Sequence, residues 1–279
     1  MKTKRIIARL DIKNDALVKG VHLEGFRVLG DPGSFAKIYY EDGIDEIVYM
    51  DVVASLYGRN GLIDLIKKTA KEIFIPLTVG GGIRSINDVA AILAAGADKV
   101  CINTAAVQRP ELITEVVNIY GSSTLVIAVE TIKVDDEYMV FTDNGREYTG
   151  LKVLEWVKKI ERLGAGEILL TSVDREGTGK GIDVELIEKV KNCVSISTVI
   201  HGGFGSCKDV YDAFNDLNID AACIASMFHY NTINSNIPMN KSIMGNKSFL
   251  LSNKAKRGLE SVSVKNLKDK LKDQKIRVR

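Results

Sequence analysis

Two carboxylates and two sets of glycines carry the chemistry legible in this chain. Asp11 follows the apolar run Arg5 to Leu10, and Glu130 follows the apolar run Thr124 to Val129. A carboxylate at the end of a buried strand faces the space beyond it, and two facing carboxylates can divide the work of general acid and general base. The glycines end two further apolar runs, as Gly80-Gly81-Gly82 after Phe74 to Val79 and as Gly202-Gly203 after Val199 to His201. Each set precedes a serine, Ser85 or Ser206, of the type that caps a helix. Glycine N–H groups have no Cβ in the way of an anion, and a helix N-terminus adds partial positive charge. Each set therefore reads as a phosphate cup, and two cups suit an elongated small molecule with a phosphate at each end.

The elements that position these groups are repeated. Gly202-Gly203 lies 121 residues after Gly81-Gly82, and at the same offset Glu46 to Met50 maps onto Glu167 to Thr171. The chain reads as two copies of one half, about residues 1–120 and 121–279. Eight strand-helix units in succession predict an α/β fold, a single (β/α)8 TIM barrel built from two duplicated half-barrels. Chemistry in such barrels sits at the C-terminal ends of the strands. Asp11 and Glu130 end the first and fifth strands, which lie opposite each other, so the two acids face across one mouth. Lys13 to Gly30, carrying Lys19, reads as a long loop of the kind that forms a lid. Ile132 to Tyr148 reads as a small hairpin on the same side. Asn231 to about Ser261 is polar and aperiodic, and reads as an insertion between the eighth strand and a last helix, Val264 to Lys275, that docks on the barrel.

At the other mouth Arg5, Glu46, Lys99 and Glu167 begin the first, second, fourth and sixth strands. Inward-facing charges are tolerated there only when they neutralise one another. Four of alternating sign resemble a gate on the barrel axis.

Bulk properties narrow the partners. Apolar residues make up 46% of the sequence and the formal net charge is +2, with no basic stripe, which argues against nucleic acid and for a small-molecule ligand. Four cysteines without CxxC spacing fit reduced thiols in a cytoplasmic protein. No apolar run has membrane-spanning length. His22 and His229 have no partners at metal-ligand spacing, and no metal or other cofactor is expected; His201, beside the second cup, is expected to add a phosphate contact.

The segments RIIARLDI, LVKGVHLEGFRVLGDP, IPLTVGGGIRSINDV, GADKVCINTAAV, LGAGEILLTSVDREGTGKGID and GGFGS give the chain a close resemblance to the cyclase subunit of imidazole glycerol phosphate synthase. The resemblance implies a barrel that takes ammonia from a glutaminase subunit docked at its bottom, as a heterodimer in histidine biosynthesis. It implies a carbon–nitrogen lyase reaction, in which a bis-phosphorylated formimino-carboxamide ribonucleotide yields imidazole glycerol phosphate and aminoimidazole carboxamide ribotide. Carried over by position, Asp11, Glu130 and Lys19 are catalytic. Gly82, Asn103 and Thr104 hold one phosphate, and Gly177, Gly203 and Ser226 the other. Arg5, Glu46, Lys99 and Glu167 form the ammonia gate, and Asp98 lies at the partner interface. The sequence departs from the family at Arg9, normally cysteine, at Glu130 and Glu176, normally aspartates, and at Ile200-His201, normally Ala-Ser. The resemblance extends to a paralogue that passes ammonia on for acetamidino modification of surface-polysaccharide sugars. It also extends to a sugar-phosphate isomerase of the same fold, and to a purely docking and channelling scaffold.

Overall fold

The computed structural model describes residues 3–53, 60–235 and 258–279. Eight parallel strands close on themselves in the order β1 (Arg5–Lys13), β4 (Glu46–Asp51), β5 (Leu77–Gly80), β6 (Lys99–Ile102), β7 (Leu125–Val134), β10 (Glu167–Ser172), β11 (Ser197–His201) and β12 (Ala221–Ile224), with β12 pairing back onto β1. Helices α1 (Pro32–Glu41), α2 (Asn60–Thr69), α3 (Ile86–Ala94), α4 (Thr104–Gln108), α5 (Glu111–Tyr120), α6 (Val153–Arg162), α7 (Val184–Lys191), α8 (Cys207–Asn215), α9 (Ser226–Asn234) and α10 (Val264–Asp273) lie between and after them. This is the expected (β/α)8 barrel.

Alternation along each strand sorts the core into two. Ile6, Ala8 and Leu10 point outward into the layer shared with the helices, together with Ile47, Tyr49, Ile127 and Val129. Ile7, Val48, Cys101, Val126, Ala128, Leu169, Val199, Ala221 and Cys223 point inward and fill the barrel with a separate apolar cylinder. The odd-numbered residues of β1 thus stack up the axis as Arg5, Ile7, Arg9 and Asp11.

The internal repeat extends to the helix starts. Ser85 and Asp88 form a capping box at α3, and Ser206 and Asp209 form the same box at α8. A Cβ on Gly81 would lie 2.3 Å from the carbonyl oxygen of Asp51, and one on Gly202 would lie 2.5 Å from that of Ser172. Both glycines also have positive φ, 102° and 97°. Only glycine fits at either position.

Three sequence expectations need correction. Lys13 to Gly30 is a hairpin, β2 (Ala16–Val21) and β3 (Glu24–Gly30), with β2 antiparallel to β1. Its turns place Asn14 and Asp15, then His22 and Leu23, at φ between 48° and 61°. Only the first of these pairs is of a turn-favouring type. The second hairpin is larger than expected, because β7 runs on to Val134 and is joined by β8 (Glu137–Thr142) and β9 (Glu147–Lys152). The polar stretch placed at 231–261 begins inside α9, whose Phe228, His229, Thr232 and Ile233 are buried. Residues 236–257 of that stretch lie outside the described residues. The last helix carries Val264, Leu267 and Leu271 on its buried face as the periodicity predicted.

Candidate active site

Asp11 is 1% exposed, and it shares β1 with Arg9, likewise 1% exposed, whose Nε donates to Asp11 Oδ1 at 2.8 Å. Residues two apart on a strand share a face, so this pair is built into the strand itself. Burial acts to raise the Asp11 carboxyl, but Arg9 and then Lys19 outweigh it and hold it below the usual carboxylate range. Glu130 is also buried, and Gly145 N–H of the second hairpin donates to its Oε2 at 2.8 Å. There desolvation prevails over the more distant Arg9 and pushes the carboxyl up to about 7. The facing acids therefore differ in kind at neutral pH: Asp11 is ionised and Glu130 is poised to exchange a proton.

Lys19 and Glu176 are joined by a short buried ion pair. Glu176 Oε2 also accepts from Leu23 N–H at 3.0 Å, and its carbonyl accepts from His22 N–H at 3.0 Å. The loop after β10 thereby pins the β2–β3 hairpin over the mouth, which brings Lys19 into the site as a buried residue. Burial would raise the Glu176 carboxyl, but Lys19 outweighs it and holds the carboxyl below its usual range. His201 is 3% exposed and its Nδ1 hydrogen-bonds the Cys223 carbonyl at 2.9 Å. Burial, reinforced by Arg9, lowers the imidazole to about 4. A neutral ring that donates from Nδ1 leaves Nε2, 4.0 Å from Glu176 Oε1, as an acceptor, which offers a phosphate oxygen no proton.

The first cup opens on a cavity of about 570 Å³ whose walls include Gly81, Gly82, Asn103, Thr104 and Glu130. The second, formed by Gly177, Gly203 and Ser226, encloses only about 10 Å³ beneath the closed loop. Asp11 lines neither. Among the described residues, no backbone carbonyl accepts from the N–H groups of Gly82, Gly177 or Gly203. The starts of α3 and α8, expected to join the cups, contribute less. Asp88 takes the Arg84 and Ser85 N–H groups, and Asp209 takes those of Gly205 and Ser206. Cys207 N–H donates to Glu260. Among the described residues, the donors without an acceptor are those of the glycines and of the first turns of α4 and α9 instead.

At the opposite end Arg5, Glu46, Lys99 and Glu167, the charges expected to form a gate, close a ring. Arg5 bonds Glu46 at 2.8 Å and Glu167 at 2.5 Å, and Lys99 bonds the same two carboxylates at 3.3 and 3.1 Å. Ser197, which the sequence reading missed, accepts from Arg5 Nη2 and donates to Glu167, both at 2.9 Å. Its place at the start of β11, level with Glu167, was the available signal. Asp98 is exposed on the same rim, one oxygen capping Leu77 N–H at 2.8 Å.

His229 bonds Tyr39 at 2.7 Å and His22 bonds the Val173 carbonyl at 2.8 Å, both structural contacts. Among the described residues no cluster of three or more His, Cys, Asp or Glu is placed to hold a metal ion, and no helix is long and apolar enough to cross a membrane.

The family model described as histidine biosynthesis protein matches residues 5–234. An imidazole glycerol phosphate synthase subunit HisF of Legionella pneumophila is 52% identical over 210 residues, 75% of this chain and 99% of its own length. Proteins of the same name from Alkaliphilus metalliredigens and Thermococcus onnurineus are each 47% identical, covering 84% and 82% of this chain and 93% and 91% of their own. With its barrel, its duplicated cups and relatives at this level over most of both chains, the chain belongs to the histidine biosynthesis protein family, in the group of the imidazole glycerol phosphate synthase subunits HisF.

Proposed function

We propose that the protein is the cyclase subunit of imidazole glycerol phosphate synthase, acting in the cytoplasm as a heterodimer with a glutaminase. It uses the partner's ammonia to convert the bis-phosphorylated formimino-carboxamide ribonucleotide into imidazole glycerol phosphate and aminoimidazole carboxamide ribotide. The observation that carries this reading is the contrast between the two facing acids, one held ionised beside Arg9 and one pushed to about 7 by burial. Asp11 serves as the base and Glu130 as the acid, while Lys19 closes over the substrate with the hairpin. Gly82, Asn103 and Thr104 take one phosphate, and Gly177, Gly203 and Ser226 take the other once Glu176 releases the loop. Arg5, Glu46, Lys99 and Glu167 admit ammonia from a partner seated against the rim that carries Asp98. Expression in a strain lacking its own cyclase subunit, with the cognate glutaminase, tests the proposal: growth without histidine supports it, and no growth despite soluble complex rejects it.

One observation favours a second reading, in which the ammonia leaves the mouth for acetamidino modification of a surface sugar. Arg9 binds the carboxylate that cyclisation needs, and that carboxylate lines neither cavity. Glu130→Asp separates the readings. Misplacement of a catalytic group by about 1 Å can cost on the order of 10²-fold in rate, so an aspartate there should raise cyclase turnover if the glutamate is a displaced catalyst. An unchanged rate favours the sugar pathway.

Two further results are expected. At constant free ammonia, turnover falls as pH rises through about 7, because the acid Glu130 is protonated below its raised pKa and loses its proton above it. Glu130→Gln abolishes that limb, and a limb that persists assigns it elsewhere. Substrate protects the amides of Gly82 and Gly203 from hydrogen exchange together; protection of Gly82 alone means a ligand with one phosphate.

A further inference from the structure

Arg9 and Asp11 make half of a side-by-side pairing. A guanidinium and a carboxylate commonly form two parallel hydrogen bonds, yet here only Nε to Oδ1 is made, at 2.8 Å, while Arg9 Nη2 and Asp11 Oδ2 are buried and have no partner among the described residues. Thr171 Oγ1, inward-facing on β10, is also buried and unpartnered. Unpaired polar atoms this deep are costly, and strain, a catalytic role or a bound water, ion or other small species accounts for them. The open fork sits at one end of the apolar cylinder, with the Arg5, Glu46, Lys99 and Glu167 ring at the other. Whatever reaches the fork along the axis must be small and neutral, since the cylinder offers no charge to accompany an ion. It must also accept one hydrogen bond, from Nη2, and donate at least one, to Oδ2.

We propose that the open Arg9–Asp11 fork is a resting site for ammonia, whose lone pair accepts from Arg9 Nη2 and one of whose N–H groups donates to Asp11 Oδ2. The inference rests on the reading that ammonia travels through this barrel, and it adds the place where the molecule stops before reaction. Arg9 is then a positioning residue. Ammonium has no lone pair with which to accept from Arg9 Nη2, so the fork is matched to the neutral base.

The chain labelled with ¹⁵N-arginine provides the test. The Arg9 guanidinium signals are assigned by their loss in Arg9→Met and, should that variant not fold, in Arg9→Lys. With total ammonium and ionic strength fixed, pH is raised so that only free ammonia increases. The expected result is a saturable shift of the Arg9 signals that follows free ammonia, exceeds the shift in an ammonium-free pH control, and is not reproduced by methylamine, which is too large. A shift that follows ammonium or matches the control, or no shift, overturns the proposal and leaves the fork to a water molecule. In ammonia-dependent synthesis Arg9→Met should raise the KM for free ammonia about tenfold, the loss of one charge-assisted hydrogen bond, and lower kcat as well, because Arg9 also holds Asp11 ionised; a normal KM contradicts the site. Should the wild-type chain make no imidazole glycerol phosphate, the cyclase reading fails by itself, and the arginine signals still decide on the resting site.

Discussion

Asp11→Asn is expected to lower ammonia-dependent cyclase turnover more than about a hundredfold with the barrel intact, since an amide of the same size cannot take the proton. The structure adds a second reason. Asp11 is the partner of a buried arginine at 2.8 Å, and an amide would leave that guanidinium facing a neutral group. The variant should therefore also lose some thermal stability, and turnover must be compared at a temperature where circular dichroism shows both proteins folded. Near-normal turnover under those conditions would remove Asp11 from the chemistry and leave Glu130 as the single proton-exchanging acid.

Lys99→Ala carries the second large effect. Lys99 bridges Glu46 and Glu167 on one side of the ring and Arg5 bridges them on the other. Burial alone would raise the Glu167 carboxyl, but Arg5 and Lys99 hold it down. Without Lys99 the ring is broken on one side and water gains the axis. Glutamine-dependent synthesis should fall about tenfold while synthesis from added ammonia, which need not pass the gate, stays within about twofold. Measuring both rates on one preparation of the heterodimer checks this. Equal losses would make the ring a structural salt-bridge network with no part in transfer.

The barrel strands were legible because buried parallel strands are near-continuous apolar runs, and the repeat at 121 residues fixed which of them correspond. The β2–β3 hairpin was hidden by its turns. His22 and Leu23 adopt positive φ because Glu176 holds both backbone N–H groups, a tertiary cause invisible along the chain. Helix α9 was hidden by composition, since Asn231, Thr232 and Asn234 carry no helical periodicity and burial against α1 supplies what propensity does not. Asp11 and Glu130 were readable because the apolar runs stop at them, although β1 continues to Lys13 and β7 to Val134 as those strands enter the hairpins, and the charged ring was readable from its places at strand starts. The open Arg9–Asp11 fork was not, although the two residues are two apart on one strand face, because sequence gives the shared face but not which oxygen is left unpaired. The cups were half legible: among the described residues no backbone carbonyl takes the N–H groups of Gly82 or Gly203, while Asp88 and Asp209, present in the sequence three residues after each serine, already consume the helix-start amides.

The most direct test of the central claim is the yield of imidazole glycerol phosphate per glutamine hydrolysed by the purified heterodimer supplied with the formimino-carboxamide ribonucleotide. The account predicts a ratio near one, with glutamine hydrolysis rising when the ribonucleotide is added. Glutamine hydrolysis without imidazole glycerol phosphate, at any concentration of the ribonucleotide, would contradict it.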